Sequence, residues 1–352
     1  MHFRPASVDN IYVYPSTMLN LLLIPLLCMP LSLVLALALA RPNTHQLSPR
    51  TKTGNPIIEG WYADPELRIY EGAYYLYPTY SAAFDSQTFF DAFVSHDLLT
   101  WEPTGRLLDF ADVPWTTNRA AWAPTVGHKD GSYYLYYSAG EGVGIGVAVS
   151  HSPAGPFTDV LGGPLIGEYV FGAQPIDAMV FMDSDGNEGG KGEGRNYLYW
   201  GGWGHAVVGE LADDMVSFKG DFVEVTPDKE YVEGPWMLKR KGVYYFLYSV
   251  GGWGDPSYAV KYVKADNPMG PFDGPSKLIL SSDPAIGTST GHNSVFHVDD
   301  EYFIVYHRRS PTDTERDHRV VCIDKLEFND DGEIEVVKIT NEGVDGIRLE
   351  RN

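Results

Sequence analysis

An all-β, five-bladed β-propeller with its candidate active site on the central axis is the fold this sequence predicts, on three observations. Five short aromatic stretches recur: Tyr74-Tyr75-Leu76-Tyr77, Tyr133-Tyr134-Leu135-Tyr136, Tyr197-Leu198-Tyr199, Tyr244-Tyr245-Phe246-Leu247 and Tyr302-Phe303-Ile304-Val305. A strand opening stands upstream of each: Ala63-Asp64-Pro65, Trp122-Ala123-Pro124, Pro175-Ile176-Asp177, Glu233-Gly234-Pro235 and Gly291-His292-Asn293. A third strand-like stretch follows in every repeat: Ala92 to Ser95, Val143 to Ser150, Ala206 to Glu210, Tyr258 to Val263, and Arg319 to Asp324. Each such unit has an apolar face it cannot bury alone, so stacked neighbours must cover it, and the repeats read as four-stranded blades. A two-sheet sandwich also alternates strands with turns, but it does not require the same order of elements five times.

Taken in order, the chain begins with an apolar stretch, Leu19 to Ala40, ending in alternating Ala and Leu. Small residues at that end suit signal-peptide cleavage. Residues 1–40 are therefore read as a signal peptide, with Met18 as an alternative start and the mature chain beginning near Arg41. An uncleaved anchor is the rival, since about 20 apolar residues span a bilayer. Residues 41–53 read as a short tether and 54–352 as the propeller. Within the repeats, turn chemistry closes the third strands at Asp97 to Trp101, Ser152 to Phe157 and Asn267 to Phe272. A polar insert, Asp183 to Gly194, lengthens the third repeat. The Gly-rich run Gly140 to Gly146 leads into a strand pattern and reads as a turn rather than a phosphate loop.

The net charge of −21 disfavours nucleic acid and anionic membranes as partners. With Cys28 inside the leader, the mature chain keeps one thiol, Cys322, and no internal disulfide. A core of this size does not need such staples. No Asn-x-Ser/Thr sequon occurs. A secreted, extracellular monomer is the expectation.

Equivalent places in different blades meet at one axis, so Asp64, Asp177 and Glu233, read as matched positions in three repeats, are expected to face one another. Singly, an Asp-Pro or Gly-Pro pair is ordinary turn chemistry. Three carboxylates among apolar and aromatic neighbours are not, because burying a charge without purpose is costly. Two carboxyl groups across a sugar ring are the apparatus of glycoside hydrolysis, and a third raises the acid's pKa by repulsion.

Trp61, Tyr80, Trp122 and Trp203 are candidates to stack on sugar faces, and Arg308, after the last aromatic strand, to bind substrate. Most other tyrosines are read as filler between blades. His292 is the candidate holder of an axial calcium or a water. No Cys/His cluster points to zinc or iron, and no cofactor is required for the chemistry proposed.

Together, Tyr62-Ala63-Asp64-Pro65, Trp122-Ala123-Pro124, Pro175-Ile176-Asp177, Val232-Glu233-Gly234-Pro235 and Gly291-His292-Asn293-Ser294 resemble glycoside hydrolase family 43 from about Asn55 to Val344. The resemblance implies a five-bladed propeller that hydrolyses arabinofuranosyl or xylosyl linkages with inversion. It implies Asp64 as general base, Glu233 as general acid, Asp177 as the residue that tunes and orients the acid, and His292 at the axial calcium or water. Related fructosidases carry Asn-Asp-Pro where this chain has Ala63-Asp64-Pro65, which favours the inverting group. The opening Trp61 to Glu66, with no second domain after the propeller, leans the reading to an exo-acting α-L-arabinofuranosidase on plant arabinan or arabinoxylan. β-Xylosidase, endo-arabinanase and a silent sugar-binding propeller are the alternatives.

Overall fold

The computed structural model describes residues 51–183 and 194–349. The predicted leader, most of the tether and the centre of the polar insert lie outside the described residues.

Five antiparallel sheets follow one another along the chain. Blade 1 holds β1 (Tyr62–Tyr70), β2 (Ala73–Tyr80), β3 (Phe89–Ser95) and β4 (Glu102–Asp109). Blade 2 holds β5 (Trp122–Lys129), β6 (Ser132–Ala139), β7 (Gly144–Ser150) and the short β8 (Thr158–Asp159). Blade 3 is β9 (Met179–Asp183), β10 (Arg195–Trp200), β11 (Val207–Leu211) and β12 (Phe218–Glu224). Blade 4 is β13 (Tyr231–Arg240), β14 (Val243–Val250), β15 (Ala259–Ala265) and β16 (Lys277–Leu280). Blade 5 has three strands, β17 (Thr288–Val298), β18 (Glu301–Arg309) and β19 (Val320–Leu326). First strands of different blades face one another around the axis. Among the described residues no helix is long and apolar enough to cross a membrane.

Local sequence explains the hairpins. Glu71-Gly72, Asp130-Gly131 and Lys241-Gly242 join first to second strands with both residues at positive φ. That turn geometry matches the right-handed twist of the strands it connects.

The aromatic stretches are the second strands, and their tyrosines stitch the blades. Tyr77 Oη donates to Pro153 O at 2.8 Å, Tyr136 Oη to Met215 O at 2.7 Å, and Tyr199 Oη to Pro268 O. In each case a ring from one blade ends on the turn that follows the next blade's third strand. Buried hydroxyls need such partners, and these satisfy loop carbonyls that the sheets leave free. Tyr136→Phe leaves the buried Met215 carbonyl unpaired and is expected to cost about 1–3 kcal/mol, measured by urea unfolding.

Blade 5 departs from the four-stranded expectation. Its outer edge is met by the incoming chain instead: Ile57 N–H donates to Val321 O at 3.0 Å. The Asn55 amide brackets Ile323, donating to its carbonyl at 3.0 Å and accepting from its N–H at 2.8 Å. Thr51 to Thr53, read as the end of a tether, are paired with the C-terminal segment through Thr53 N–H to Val344 O and Gly346 N–H to Thr51 O. An edge strand left bare is a template for wrong pairing, and this overlap covers it while closing the ring.

Candidate active site

Every blade enters its first strand through one residue in the left-handed region: Asp64 (φ 47°), Ala123 (43°), Asp177 (58°), Gly234 (64°) and His292 (44°). In four of the five blades a register shift accompanies it. A bulge of this kind re-aims side chains, here at the opening where the first strands converge.

This corrects one detail of the sequence reading. Asp64 and Asp177 do share a place in their repeats, but Glu233 stands one residue earlier, with Gly234 in the matching position. The extra methylene of glutamate lets its carboxyl reach the axis from there.

The carboxylates meet around His292. Its Nδ1 lies 3.4 Å from Asp64 Oδ1 and 3.9 Å from Asp177 Oδ2. Asp177 Oδ2 accepts the Gly234 N–H at 3.2 Å, which places it beside Glu233. Glycine at 201 explains that bond. In three other blades a hydroxyl on the second strand accepts the N–H of the next blade's left-handed residue: Thr79 for Ala123, Ser138 for Asp177 and Ser249 for His292. Gly201 has the equivalent place before Gly234 and offers no side chain. A Cβ there would fall 2.1 Å from His205 O. The Asp177 carboxylate takes over the bond.

Electrostatics separate the three acids. Burial alone would push Asp64 up. The Arg319 guanidinium 3.3 Å away, then His292, outweigh it and hold Asp64 well below the usual carboxylate range. Burial pushes Glu233 up to about 7, opposed by the hydrogen bond from Tyr258 (2.8 Å) and reinforced by the charge of Asp64. Asp177 is raised by burial and by the charges of Glu233 and Asp64, with the Gly234 N–H offsetting part. The Asp177–Glu233 pair therefore titrates as a unit in which burial and repulsion favour retaining a proton, while Arg319 favours the charged form of Asp64.

Arg308 is engaged elsewhere. It is buried in blade 5, donating to Thr340 O at 2.9 Å and Asn341 Oδ1 at 2.8 Å. The cation at the carboxylates is Arg319, which also donates to Ser81 Oγ at 3.0 Å. Strand direction gives the reason. Arg319 precedes the third strand of its blade, as Tyr258 does in blade 4, and third strands begin at the same end as first strands. Both residues head stretches that the sequence reading assigned only to structure.

The aromatic candidates divide. Trp61 stacks on His318 with ring centroids 4.1 Å apart, and stays 42% exposed. Trp122 donates to Gln87 Oε1 at 2.5 Å and meets Phe84 edge-on. Trp203, 74% exposed, is on the loop tied to the segment before Asp177 by Gly201 N–H to Ile176 O. Tyr80 is engaged within blade 1, stacked on Phe89 and edge-on to Tyr62. Trp253, under the guanidinium of Arg319 at 4.8 Å, completes this end. A groove of about 600 Å³ also opens elsewhere, on the outer strands β4 and β8, away from the first-strand openings that carry the carboxylates.

For metal, the donors around His292 do not fit a calcium cage. Calcium wants six to eight oxygens, whereas His292 offers nitrogen and the adjacent Asp64 already faces Arg319. Among the described residues no group of three or more His, Cys, Asp or Glu side chains is arranged to hold a metal ion.

Known proteins resemble this chain in sequence and fold. The model for "Glycosyl hydrolases family 43" matches residues 53–334. A β-D-galactofuranosidase of Aspergillus niger is 53% identical over 96% of this chain and 98% of its own. A xylosidase/arabinosidase of Humicola insolens is 28% identical over 79% and 98%. Among solved structures, a thermostable family-43 glycoside hydrolase superposes with a TM-score of 0.67 at 30% identity, covering 83% of this chain and 97% of that one. The chain belongs to glycoside hydrolase family 43.

Proposed function

We propose that this protein is a secreted, inverting exo-furanosidase that removes α-L-arabinofuranosyl and β-D-galactofuranosyl units from polysaccharide or oligosaccharide chains. One observation carries the mechanism: Asp64, paired with Arg319 at 3.3 Å and held below the usual carboxylate range, shares the axial site with the buried Glu233 and Asp177, which burial favours in the protonated form. Glu233 is the proton donor to the leaving oxygen. Asp64 orients a water and takes its proton as the water bonds to the anomeric carbon. A weak base suffices there, because water attacking a carbon with oxocarbenium character becomes strongly acidic. Asp177, coupled to Glu233, shares the retained proton, because two adjacent buried carboxyls do not readily ionise together.

The ring preference draws on chemistry shared by two sugars. β-D-Galactofuranose and α-L-arabinofuranose present the same ring stereochemistry and differ by one exocyclic hydroxymethyl group. The 53% relative named a galactofuranosidase supports a furanose ring, and the relatives named xylosidase/arabinosidase support arabinose within it. Xylopyranose is the second reading, favoured by the same 28% relatives. The apolar leader supports secretion, and the chemistry assigned to these residues requires no metal.

The test is a proton NMR time course with arabinofuranosyl, galactofuranosyl and xylosyl disaccharides, with and without a chelator. The inverted furanose is expected to appear first, at an unchanged rate when EDTA is present. Xylose first would move the assignment to β-xylosidase, and a retained anomer would reject the inverting mechanism. The kcat/KM profile is expected to fall as pH rises through about 7, where Glu233 loses its proton. On the acid side it should hold until well below the usual carboxylate range, where Asp64 is protonated.

A further inference from the structure

The hydroxyl that accepts the left-handed residue's N–H in three blades is replaced twice, and both replacements bear on a carboxylate of the site. One is Gly201, described above. The other is His307 on β18, which occupies the place of Thr79, Ser138 and Ser249. Its Nδ1 accepts the Asp64 N–H at 3.1 Å. A serine would suffice for that bond, and the imidazole brings a cost that serine would not. With Nδ1 accepting, the ring proton is on Nε2, which is buried without a partner among the described residues.

What the ring adds is a face. It stacks on Tyr258 with centroids 5.6 Å apart and planes 12° from parallel. The Tyr258 hydroxyl in turn donates to Glu233 Oε1 at 2.8 Å. Both rings are fully buried, and a Cβ on Gly291 would come within 2.2 Å of Tyr258, so the tyrosine has no room to shift that way. Asp64 and Glu233, on strands β1 and β13, are thus joined through two side chains that touch.

Resting on the glycosidase reading above, we propose that His307 is a positioning residue that, through Tyr258, fixes the separation between the water-activating Asp64 and the proton-donating Glu233. The separation matters because an inverting site must leave room for a water between its carboxyls, and misplacement by about 1 Å costs about 100-fold in rate.

His307→Ser restores the hydroxyl found in other blades, and His307→Asn keeps an acceptor near the Nδ1 position. Both remove the face on which Tyr258 rests. Each is expected to lower kcat on an unactivated furanosyl disaccharide by about 10- to 100-fold with KM within about two-fold. Adding Tyr258→Phe to either is expected to lower kcat by less than the product of the separate losses, because both changes act through one chain of contacts. Wild-type kcat in either folded His307 variant would overturn the proposal and leave His307 a simple cap. Multiplicative effects with Tyr258→Phe would overturn it too. A wild-type enzyme that cleaves no furanoside would instead remove the glycosidase reading on which it rests, so the two failures are distinct.

Discussion

Glu233→Gln is expected to lower kcat/KM on a furanosyl disaccharide by about 10²–10⁴-fold, the usual worth of a positioned acid. The same variant should lose far less on an aryl furanoside whose nitrophenolate departs without a proton. Asp64→Asn is expected to lose as much on both substrates, because activating water is required whatever the leaving group. Assaying the two variants on the two substrates separates the roles directly. Equal losses of Glu233→Gln on both would remove its assignment as the acid, and full activity of both variants would remove the enzyme reading. Circular dichroism must accompany the Asp64 variant, since Asn there leaves Arg319 buried without its charge partner.

Arg319→Met is expected to have the largest effect on stability. The guanidinium and Asp64 are both nearly buried, with side-chain exposures of 8% and 10%. Removing one member of a buried pair costs about 3–5 kcal/mol, because the remaining charge loses its compensation. The pH dependence has a definite sign. Asp64 is depressed in the folded protein, so it contributes stability above its unfolded value of about 4 and loses it as pH falls through the folded value. The deficit of Arg319→Met should therefore be full at pH 7 and shrink under strong acid. Without the guanidinium the folded value of Asp64 rises, and the acid limb of kcat/KM should move toward neutrality by at least about one pH unit. A variant with wild-type unfolding free energy and an unmoved acid limb would show that Arg319 does not hold Asp64 ionised.

Much of this protein was legible in its sequence, because repetition exposes architecture. Five aromatic stretches with matched openings defined five blades, and the third-strand ranges fell within one to three residues of β3, β7, β11, β15 and β19. The repeats also named Asp64, Asp177, Glu233 and His292, since whatever stands at the opening of a first strand must face the axis. Sequence motifs could not reveal what approaches that axis from other strands. Arg319, Tyr258 and His307 lie outside the matched openings, and only the antiparallel alternation of the strands brings them to the same end. Arg308, adjacent to His307 on β18, points the other way for the same reason, since successive residues of a strand face opposite sides.

The sequence by itself determined the blades, their order and the acids at their centre, because those depend on local pattern repeated five times. Tertiary structure alone decided which acid is charged, which keeps its proton and how the ring is closed. Those outcomes depend on burial and on partners more than 200 residues away, such as the Arg319–Asp64 pair and the Ile57–Val321 bond. A carboxyl's proton affinity is a property of its surroundings, and the surroundings exist only after the chain has folded.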